Sequence, residues 1–141
     1  MIFQSIKTTQ LTQEKIHEIL ALKDRHWNYG IKSQLKWFNK FTMENDSHNL
    51  MLVNEKIVGY TSLGLRSFEI MEKNNNKKVN KYILFTTLIL DKKFRNFSYA
   101  SKMMNFNNET IVKNKKGSFL LCHNNIINFY KFLGWRQLLK S

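Results

Sequence analysis

The stretch from Tyr82 to Val112 constrains the fold most, because three different local patterns follow one another within it. Residues Tyr82–Leu90 are almost all apolar or β-branched, which is typical of a strand buried on both faces. After Asp91 the chain is basic and polar for a few residues, and apolar residues then recur at helical spacing. A buried strand, a short basic loop and a helix start form a phosphate-binding arrangement, since the loop amides and the helix N-terminus direct partial positive charge to one point.

Two short motifs occur in the second half of the chain. Residues Arg95–Ala100, Arg-Asn-Phe-Ser-Tyr-Ala, resemble the Arg/Gln-x-x-Gly-x-Gly/Ala signature of the GNAT acyltransferases, with Ser98 where that family usually has glycine. Residues Asn128–Trp135, Asn-Phe-Tyr-Lys-Phe-Leu-Gly-Trp, resemble the second signature, Phe-Tyr-x-x-Leu-Gly-Phe/Trp at a helix end. The second motif is the more specific, because it fixes several residue types at once. The pair, in this order and at this separation, is more informative than either motif alone.

The length of 141 residues predicts a single domain, residues 1–141. The resemblance implies that this domain has a mixed α+β fold of the GNAT type. Its central, mostly antiparallel sheet is expected to splay between the fourth and fifth strands, and several helices, about four in all, are expected to flank it. Only six residues follow Trp135, so the sheet is expected to be short at its C-terminal edge. Because an exposed strand edge invites a partner strand, we predict a possible homodimer.

Local patterns outside the motifs predict the remaining elements. The predicted strands are Phe3–Lys7, Leu50–Val53, Ile57–Leu65, Tyr82–Leu90 and Ser118–Cys122. Thr12 is the predicted N-cap of a first helix and Ser33 that of a second. The inward face of the second helix is predicted to carry Leu35, Phe38 and Phe41.

The polar segment 69–81 and the last helix complete this interpretation. The segment contains the run Asn-Asn-Asn-Lys-Lys, and it is predicted to be a mobile loop between strands. Asn124 or Asn125 is predicted to cap the last helix, and Gly134 is predicted to end it as the residue after the C-cap.

The resemblance implies that acetyl-CoA is the acyl donor and lies between the central strand and the Ser118–Cys122 strand. Backbone groups of Leu88, Ile89 and Leu90 are expected to pair with its extended arm, as an added strand pairs with a sheet edge. Amides are expected to hold its pyrophosphate, with Arg95 adding charge. These amides belong to Asn96, Phe97, Ser98, Tyr99 and Ala100. His123 falls where relatives often carry an asparagine that touches the same arm.

Tyr130 matches the position whose hydroxyl faces the thioester sulfur in the family, and it is the expected catalytic residue. The implied reaction is direct attack by a neutral amine on the thioester, which expels a thiolate. A free tyrosine titrates near ~10 and a thiol near ~8.5, so full proton transfer would be uphill by roughly 2 kcal/mol. Tyr130 is therefore expected to donate a hydrogen bond to the developing charge. The alternative interpretation is a core aromatic residue on an amphipathic helix.

The acceptor is expected to be a small-molecule or peptide amine, and the residue patterns do not identify it. Candidate acceptor residues are Trp27, Tyr29 and Glu69. The aromatic group of His26, Trp27, Tyr29 and Trp37 fits either a pocket wall or the packing of helix ends. No motif fixes a general base, and the candidates Glu69, Glu72 and Asp91 compete with solvent.

Composition excludes several classes of protein. The single cysteine is incompatible with a disulfide framework, and the four histidines lack metal-ligand spacing, so no metal site is predicted. No apolar run reaches ~18 residues, so no membrane span is predicted. Met1–Lys7 does not resemble a secretory signal, so a cytoplasmic location is expected.

Two other functions are weighed against the acetyltransferase. A non-catalytic GNAT-like module that binds CoA or a partner would explain Ser98 and the short C-terminus. The net charge of +13 raises a third hypothesis, nucleic-acid binding, but the lysines are scattered through the chain. A positive field also attracts a cofactor that carries several phosphates, so the charge fits an acyl-CoA enzyme equally well.

Overall fold

The computed structural model describes residues 1–138 of the chain. The strands are β1 (Ile2–Lys7), β2 (Ser47–Val53), β3 (Lys56–Met71), β4 (Lys77–Leu90) and β5 (Ser118–Leu120). The helices are α1 (Gln13–His26), α2 (Ile31–Phe41), α3 (Phe97–Lys113) and α4 (Ile127–Phe132). Short 3-10 turns lie at Thr8–Gln10, Lys92–Phe94 and Asn124–Ile126.

The five strands form one sheet in the order β1-β2-β3-β4-β5. Neighbouring strands are antiparallel except β4 and β5, which are parallel. With four α-helices within residues 1–138, this is the mixed α+β architecture that the resemblance implies, and the predicted fold class is confirmed. None of these helices has both the length and the apolar character that crossing a membrane requires.

The helices cover both faces of the sheet. On one face Ile19 of α1 packs in a buried cluster with Ile89 of β4, and α2 packs against α1 through Phe38. On the other face Met103 of α3 packs in a buried cluster with Leu90. Because neighbouring residues of a strand point to opposite faces, Ile89 and Leu90 show that α1 and α3 lie on opposite sides of β4.

The second helix begins earlier than predicted. Its N-cap is Gly30, with φ 89°, so the prediction that Ser33 caps this helix is wrong. The buried face of the helix also differs from the prediction: Gln34 is buried as well as Phe38 and donates to the carbonyl of Trp27 at 2.8 Å. Phe41 is 48% exposed, so its predicted inward position is also wrong.

The predicted mobile loop at residues 69–81 is instead the outer half of a long hairpin. β3 and β4 stay paired as far as Met71 and Lys77, and only the turn around Asn75, with φ 65°, is irregular. The prediction is wrong because polar side chains were taken to indicate a loop. Here they are polar because both strands are exposed to solvent, and the hydrogen bonds that pair the strands join backbone groups and need no apolar side chains. We call residues 66–71 and 77–82 the distal arm.

The ends of several elements follow their local signals. Thr12 accepts a hydrogen bond from the Lys15 amide at 3.1 Å, which confirms it as the N-cap of α1. Gly134, with φ 97°, ends α4 as predicted, and its amide donates to the carbonyl of Lys131 at 3.1 Å. No side chain caps α4, however, because a 3-10 turn at Asn124–Ile126 leads directly into it, so the predicted asparagine cap is wrong.

A buried polar contact joins α3 to the sheet. Asn107 is fully buried, and its Oδ1 accepts hydrogen bonds from Thr61 Oγ1 at 2.6 Å and from Asn49 Nδ2 at 3.2 Å. Since buried donors are unfavourable without a partner, this contact fixes the register of α3 on β2 and β3.

We therefore expect Asn107→Leu to lower the free energy of unfolding by about 1–3 kcal/mol, because it strands two buried donors. Asn105→Leu makes the same change at an exposed position of the same helix, and it should stay within about 0.5 kcal/mol of the parent. Urea denaturation monitored by circular dichroism measures both. Equal effects of the two substitutions would contradict this role for Asn107.

Candidate functional site

The sheet opens on one side of β4, at the point where its pairing with β5 stops. β5 pairs only with Ile83–Phe85. On the other side of β4, the consecutive residues Ser62–Leu63 pair with Thr87 and Phe85, which leaves Thr86 as the extra residue of a β-bulge. A gap therefore begins at Thr86, between the fourth and fifth strands, and bulges of this kind are common next to active sites.

Alternate residues of β4 direct their backbone groups into this gap. The amide of Asp91 donates to the Val58 carbonyl of β3 at 2.7 Å. Since successive residues of a strand hydrogen-bond to opposite sides, Ile89 faces β3 as well, and Leu88 and Leu90 face the gap. Of the three residues predicted to pair with an extended ligand, Leu88 and Leu90 face the gap and Ile89 faces β3, and the pairing itself stays a prediction.

The N-terminus of α3 lies at the end of this edge. Asn96 is its N-cap, and its Oδ1 accepts from the Tyr99 amide at 3.1 Å. The Ala100 amide donates to the Asn96 carbonyl, and the Asn96 amide donates to the preceding turn, both at 3.0 Å. Of the five amides predicted to hold phosphate, only those of Phe97 and Ser98 make no hydrogen bond within residues 1–138.

Two side chains frame these free amides. Arg95 reaches back to the strand edge, where its Nε donates to the Leu90 carbonyl at 3.0 Å. The ring of Phe97 is 55% exposed and packs edge-on against Phe132 of α4, with ring centroids 5.5 Å apart. The N-terminus of α3 is therefore flanked by a guanidinium group on one side and by aromatic surface on the other.

Tyr130 lies on the same side of the sheet, close to the start of the gap. It is 8% exposed, and its ring packs edge-on against Phe85, with ring centroids 6.0 Å apart. Its hydroxyl makes no hydrogen bond within residues 1–138. Burial, with a smaller contribution from Cys122, raises the pKa of Tyr130 to about 12. Tyr130 is thus a core aromatic residue that also borders the gap.

The end of α4 is fixed by contacts with α3, which hold Tyr130 in place. Asn108 of α3 donates to the Leu133 carbonyl at 3.0 Å and accepts from the Trp135 indole at 3.0 Å. The Trp135 amide also donates to the Tyr130 carbonyl at 3.0 Å, which closes a Schellman motif. The Leu-Gly-Trp end of the second motif therefore has a structural role, because these residues end α4 and attach it to α3 directly after Tyr130.

The residues between β5 and α4 contribute less. β5 ends at Leu120, two residues before the predicted end, and Cys122 packs half-buried against the cluster that contains Tyr130. His123 is exposed and precedes the 3-10 turn. Its predicted contact with an extended ligand remains a prediction.

A cavity of about 390 Å³ lies on the opposite face of the sheet, beside α1 and α2. It extends along β4 to Thr86 and Thr87, so it ends at the bulge where the gap begins. Its charged lining residues are Lys23, Lys40, Asp46 and Arg66, and its aromatic lining residues are Trp37, Phe38, Phe41 and Tyr60.

The three predicted acceptor residues lie outside the lining of this cavity. Trp27 is half-buried and packs against the α1 core, as the helix-packing interpretation expects. Tyr29 is 71% exposed between α1 and α2. Glu69 lies on the distal arm opposite Val79, seven residues from Thr86, which is roughly 20 Å along the strand.

Several solved structures share this architecture, although their sequences differ widely from this one. The aminoglycoside 6'-N-acetyltransferase AAC(6')-IG of Acinetobacter haemolyticus is 12% identical, covers 100% of this chain and 94% of its own, and gives a TM-score of 0.67. ElaA of Escherichia coli is 17% identical over 94% of this chain and 85% of its own, with a TM-score of 0.71. Glucosamine-6-phosphate N-acetyltransferase of Arabidopsis thaliana is 14% identical over 100% of this chain and 96% of its own, with a TM-score of 0.66.

The chain has the GNAT fold. No family model and no curated protein sequence matches it. The likeness is therefore one of architecture, and the function has to be argued from the residues that this GNAT fold brings together.

The GNAT fold places an ion pair between the half-buried Arg66 and the buried Asp46 in the wall of the cavity. Arg66 donates to the two carboxylate oxygens of Asp46 at 2.7 and 3.1 Å, and Asp46 also accepts from the amides of Met43 and Leu65. Gly64 leaves room for this arrangement, since a Cβ there would lie 2.8 Å from the Arg66 guanidinium. Sequence reasoning missed this pair because its members come from separate elements and match no local motif.

A buried histidine supports the same wall. His48 is fully buried, with Nδ1 2.6 Å from the Tyr60 hydroxyl and Nε2 2.8 Å from Thr8 Oγ1. Burial lowers the pKa of His48 to about 4, and nearby Asp46 offsets part of this shift. Burial also raises the pKa of Tyr60 well above its usual value. His48 is therefore neutral near pH 7 and has a structural role in this GNAT fold.

Proposed function

We propose that this protein is an N-acetyltransferase that transfers the acetyl group of acetyl-CoA to a primary amine by direct attack. The observation that carries the proposal is the gap at Thr86, which has free amides at one end and Tyr130 at its border. The amine acceptor approaches from the other face, through the cavity that ends at the same bulge. Donor and acceptor then meet at the opening of the sheet.

The residues beside the gap fit an acyl-CoA. The free amides of Phe97 and Ser98 form the positive end of a 17-residue helix, which suits a pyrophosphate. The Arg95 nitrogens that are not bonded to Leu90 add charge there. The backbone of Leu88 pairs with the amide groups of the pantetheine arm, as in strand addition. Acetyl-CoA supplies an activated acetyl thioester, and the protein positions it.

Tyr130 acts on the leaving group in this proposal. The amine nitrogen forms a bond to the carbonyl carbon, the carbon–sulfur bond breaks, and the sulfur leaves as a thiolate. With the pKa of Tyr130 at about 12 and that of a thiol near ~8.5, full proton transfer is uphill by roughly 5 kcal/mol. The Tyr130 hydroxyl therefore stabilises the thiolate by donating a hydrogen bond.

The amine loses its proton to water in this proposal. Glu69 and Glu72 lie on or next to the distal arm, and Asp91 pairs with Arg25 at 3.2 Å. Asp46, the buried carboxylate beside the cavity, is fully engaged by Arg66 and two amides. A carboxylate free to act as general base is thus absent from the described lining of the cavity, and a water chain supplies the path.

The phosphate site can be tested at Ser98. We expect Ser98→Glu to weaken acetyl-CoA binding at least ~10-fold, because it places a negative charge beside the amides that hold the pyrophosphate. A carboxylate in the first turn of a helix is itself favourable, so the fold should persist. Asn105→Glu introduces the same charge two turns later and should bind normally. Calorimetric titration of both variants measures the difference, and equal affinities would contradict the proposed site.

A non-catalytic GNAT-like module is the second candidate, favoured by Ser98 at a position where glycine is usual. Acetyl-CoA binding without release of free thiol, in the presence of any of a broad panel of amines, would support it. Nucleic-acid binding is the weaker third candidate. It predicts steep salt dependence of RNA or DNA binding that acetyl-CoA does not alter.

We also propose that the chain forms a homodimer through the outer edge of β5. A groove of about 770 Å³ lies beside β5 and α4, and Leu121, which is one of its lining residues, is 96% exposed. Unpaired strand edges and exposed apolar surface favour association with another strand. Sedimentation velocity should show a dimer that Leu121→Lys dissociates. A monomer at high concentration would contradict the proposal.

A further inference from the structure

The cavity beside α1 and α2 carries a net positive charge that no described side chain balances. Four charged side chains line it, namely Lys23, Lys40, Asp46 and Arg66. The carboxylate of Asp46 is only 3% exposed and receives four hydrogen bonds, two of them from Arg66. Asp46 and Arg66 therefore neutralise each other, and the charges of Lys23 and Lys40 remain.

Lys23 is the less exposed of the two lysines. It projects from α1 and is half-buried, and its ammonium group makes no ion pair or hydrogen bond within residues 1–138. Burial lowers the pKa of Lys23, which is consistent with an ammonium group held partly away from water. A half-buried cation without a partner is unfavourable, and an anionic ligand group beside it would remove that penalty.

Lys40 lies at the aromatic side of the same cavity. Its Nζ is 5.2 Å from the centroid of the Phe41 ring, and Phe41 stacks with Trp37 at 4.6 Å between centroids. Trp37 is 61% exposed although it borders a concave site. This stacked pair provides a flat apolar surface next to a positive charge, which suits the planar or ring portion of a small ligand.

We propose that the acceptor is a small amine that also carries an anionic group, a carboxylate or a phosphate, bound by Lys23 and Lys40. This inference rests on the proposed acetyltransferase function, since it assigns the acceptor class for the same site. The anionic group lies at the lysines, the body of the ligand contacts Trp37 and Phe41, and the amine points along β4 to the bulge at Thr86. Polycationic amines are poor acceptors because the two lysines repel them.

Matched acceptor pairs test this assignment. The pair L-tyrosine and tyramine differs in a carboxylate, and the pair glucosamine 6-phosphate and glucosamine differs in a phosphate. In at least one pair, kcat/KM should be at least ~10-fold higher for the anionic member, and spermidine should be the poorest acceptor tested. The pair that shows the larger ratio identifies the anionic group. Ratios near one in both pairs would overturn the proposal.

Lysine variants then assign the preference to the cavity. Lys23→Met and Lys40→Met keep most of the aliphatic stem and remove the charge, and each should reduce the anionic preference at least ~3-fold. Lys36→Met removes an exposed charge on α2 outside the lining and should preserve the ratio. An unchanged ratio in both cavity variants would also overturn the proposal.

Failure of this inference and failure of the proposed function give different results. Release of free thiol from acetyl-CoA with every acceptor but no anionic preference would remove only the acceptor class. If no acceptor is acetylated, calorimetric titration of glucosamine 6-phosphate against glucosamine tests the cavity directly. Preferential binding that Lys23→Met weakens would then support the anion site without the reaction, and equal binding would overturn it.

Discussion

Replacing Tyr130 by phenylalanine is expected to lower kcat about 100–1,000-fold while the KM for acetyl-CoA changes little. The hydroxyl is proposed to act only on the charge that develops on sulfur, so its loss affects the transition state and not ground-state binding. Its pKa of about 12 means that it stays protonated across the working pH range. The pH profile of the parent should therefore show no alkaline loss from Tyr130 below about pH 11.

The matched control is Tyr82→Phe. Tyr82 lies at the root of the distal arm, where its ring packs against Phe68 and Phe119. That variant should retain nearly full kcat. Because the Tyr130 hydroxyl has no hydrogen-bond partner within residues 1–138, Tyr130→Phe should also unfold at the same temperature as the parent or above it. Full turnover by Tyr130→Phe would make Tyr130 a packing residue only.

Acidification from pH 6.5 to pH 4 is expected to reduce the free energy of unfolding by about 3 kcal/mol through His48 alone. The folded-state pKa of about 4 lies below the ordinary value of 6.5. Between these values the unfolded chain binds a proton that the folded chain excludes, so stability falls as the pH falls. The contribution is complete above pH 6.5 and is lost on approaching pH 4.

Urea denaturation at several pH values measures this effect. His48→Gln should be less stable than the parent at pH 7, because it disturbs the bonds to Thr8 and Tyr60. Its stability should nevertheless change less between pH 6.5 and pH 4. His17→Gln removes an exposed histidine on α1 and should keep the full pH dependence. The same slope in His48→Gln and the parent would contradict the role assigned to His48.

The sequence predicted the fold where its signals were local and redundant. The apolar run before Asp91, the Thr12 cap and the Gly134 helix end each have a structural cause that acts within a few residues. The distal arm was missed because exposed strands need only backbone pairing, and their polar side chains resemble those of a loop. Ser33 was mistaken for a cap because Gly30 starts the helix through its backbone conformation and not through a side chain.

The two halves of the candidate site differ in the same way. The half proposed for the acyl donor consists of continuous segments, so motifs could point to the strand edge, the start of α3 and Tyr130. Even there, only two of the five amides predicted to bind phosphate are free, those of Phe97 and Ser98. The amides of Tyr99 and Ala100 donate to Asn96, and the Asn96 amide donates to the preceding turn. The lining of the cavity proposed for the acceptor comes from α1, α2, β3 and β4, and no single segment carries its pattern. Lys23 and Lys40 could be assigned to it only from the folded chain.

Titration of acetyl-CoA into the ¹⁵N-labelled protein, followed by amide NMR shifts, tests the central claim most directly. We expect saturable binding, with the largest shift changes at the amides of Phe97 and Ser98 and further changes at Leu88 on the open edge of β4. Ile89 should shift less, since its backbone faces β3. Absence of binding, or shifts confined to the groove beside β5 with Phe97 and Ser98 unmoved, would contradict the assignment of the gap as an acetyl-CoA site.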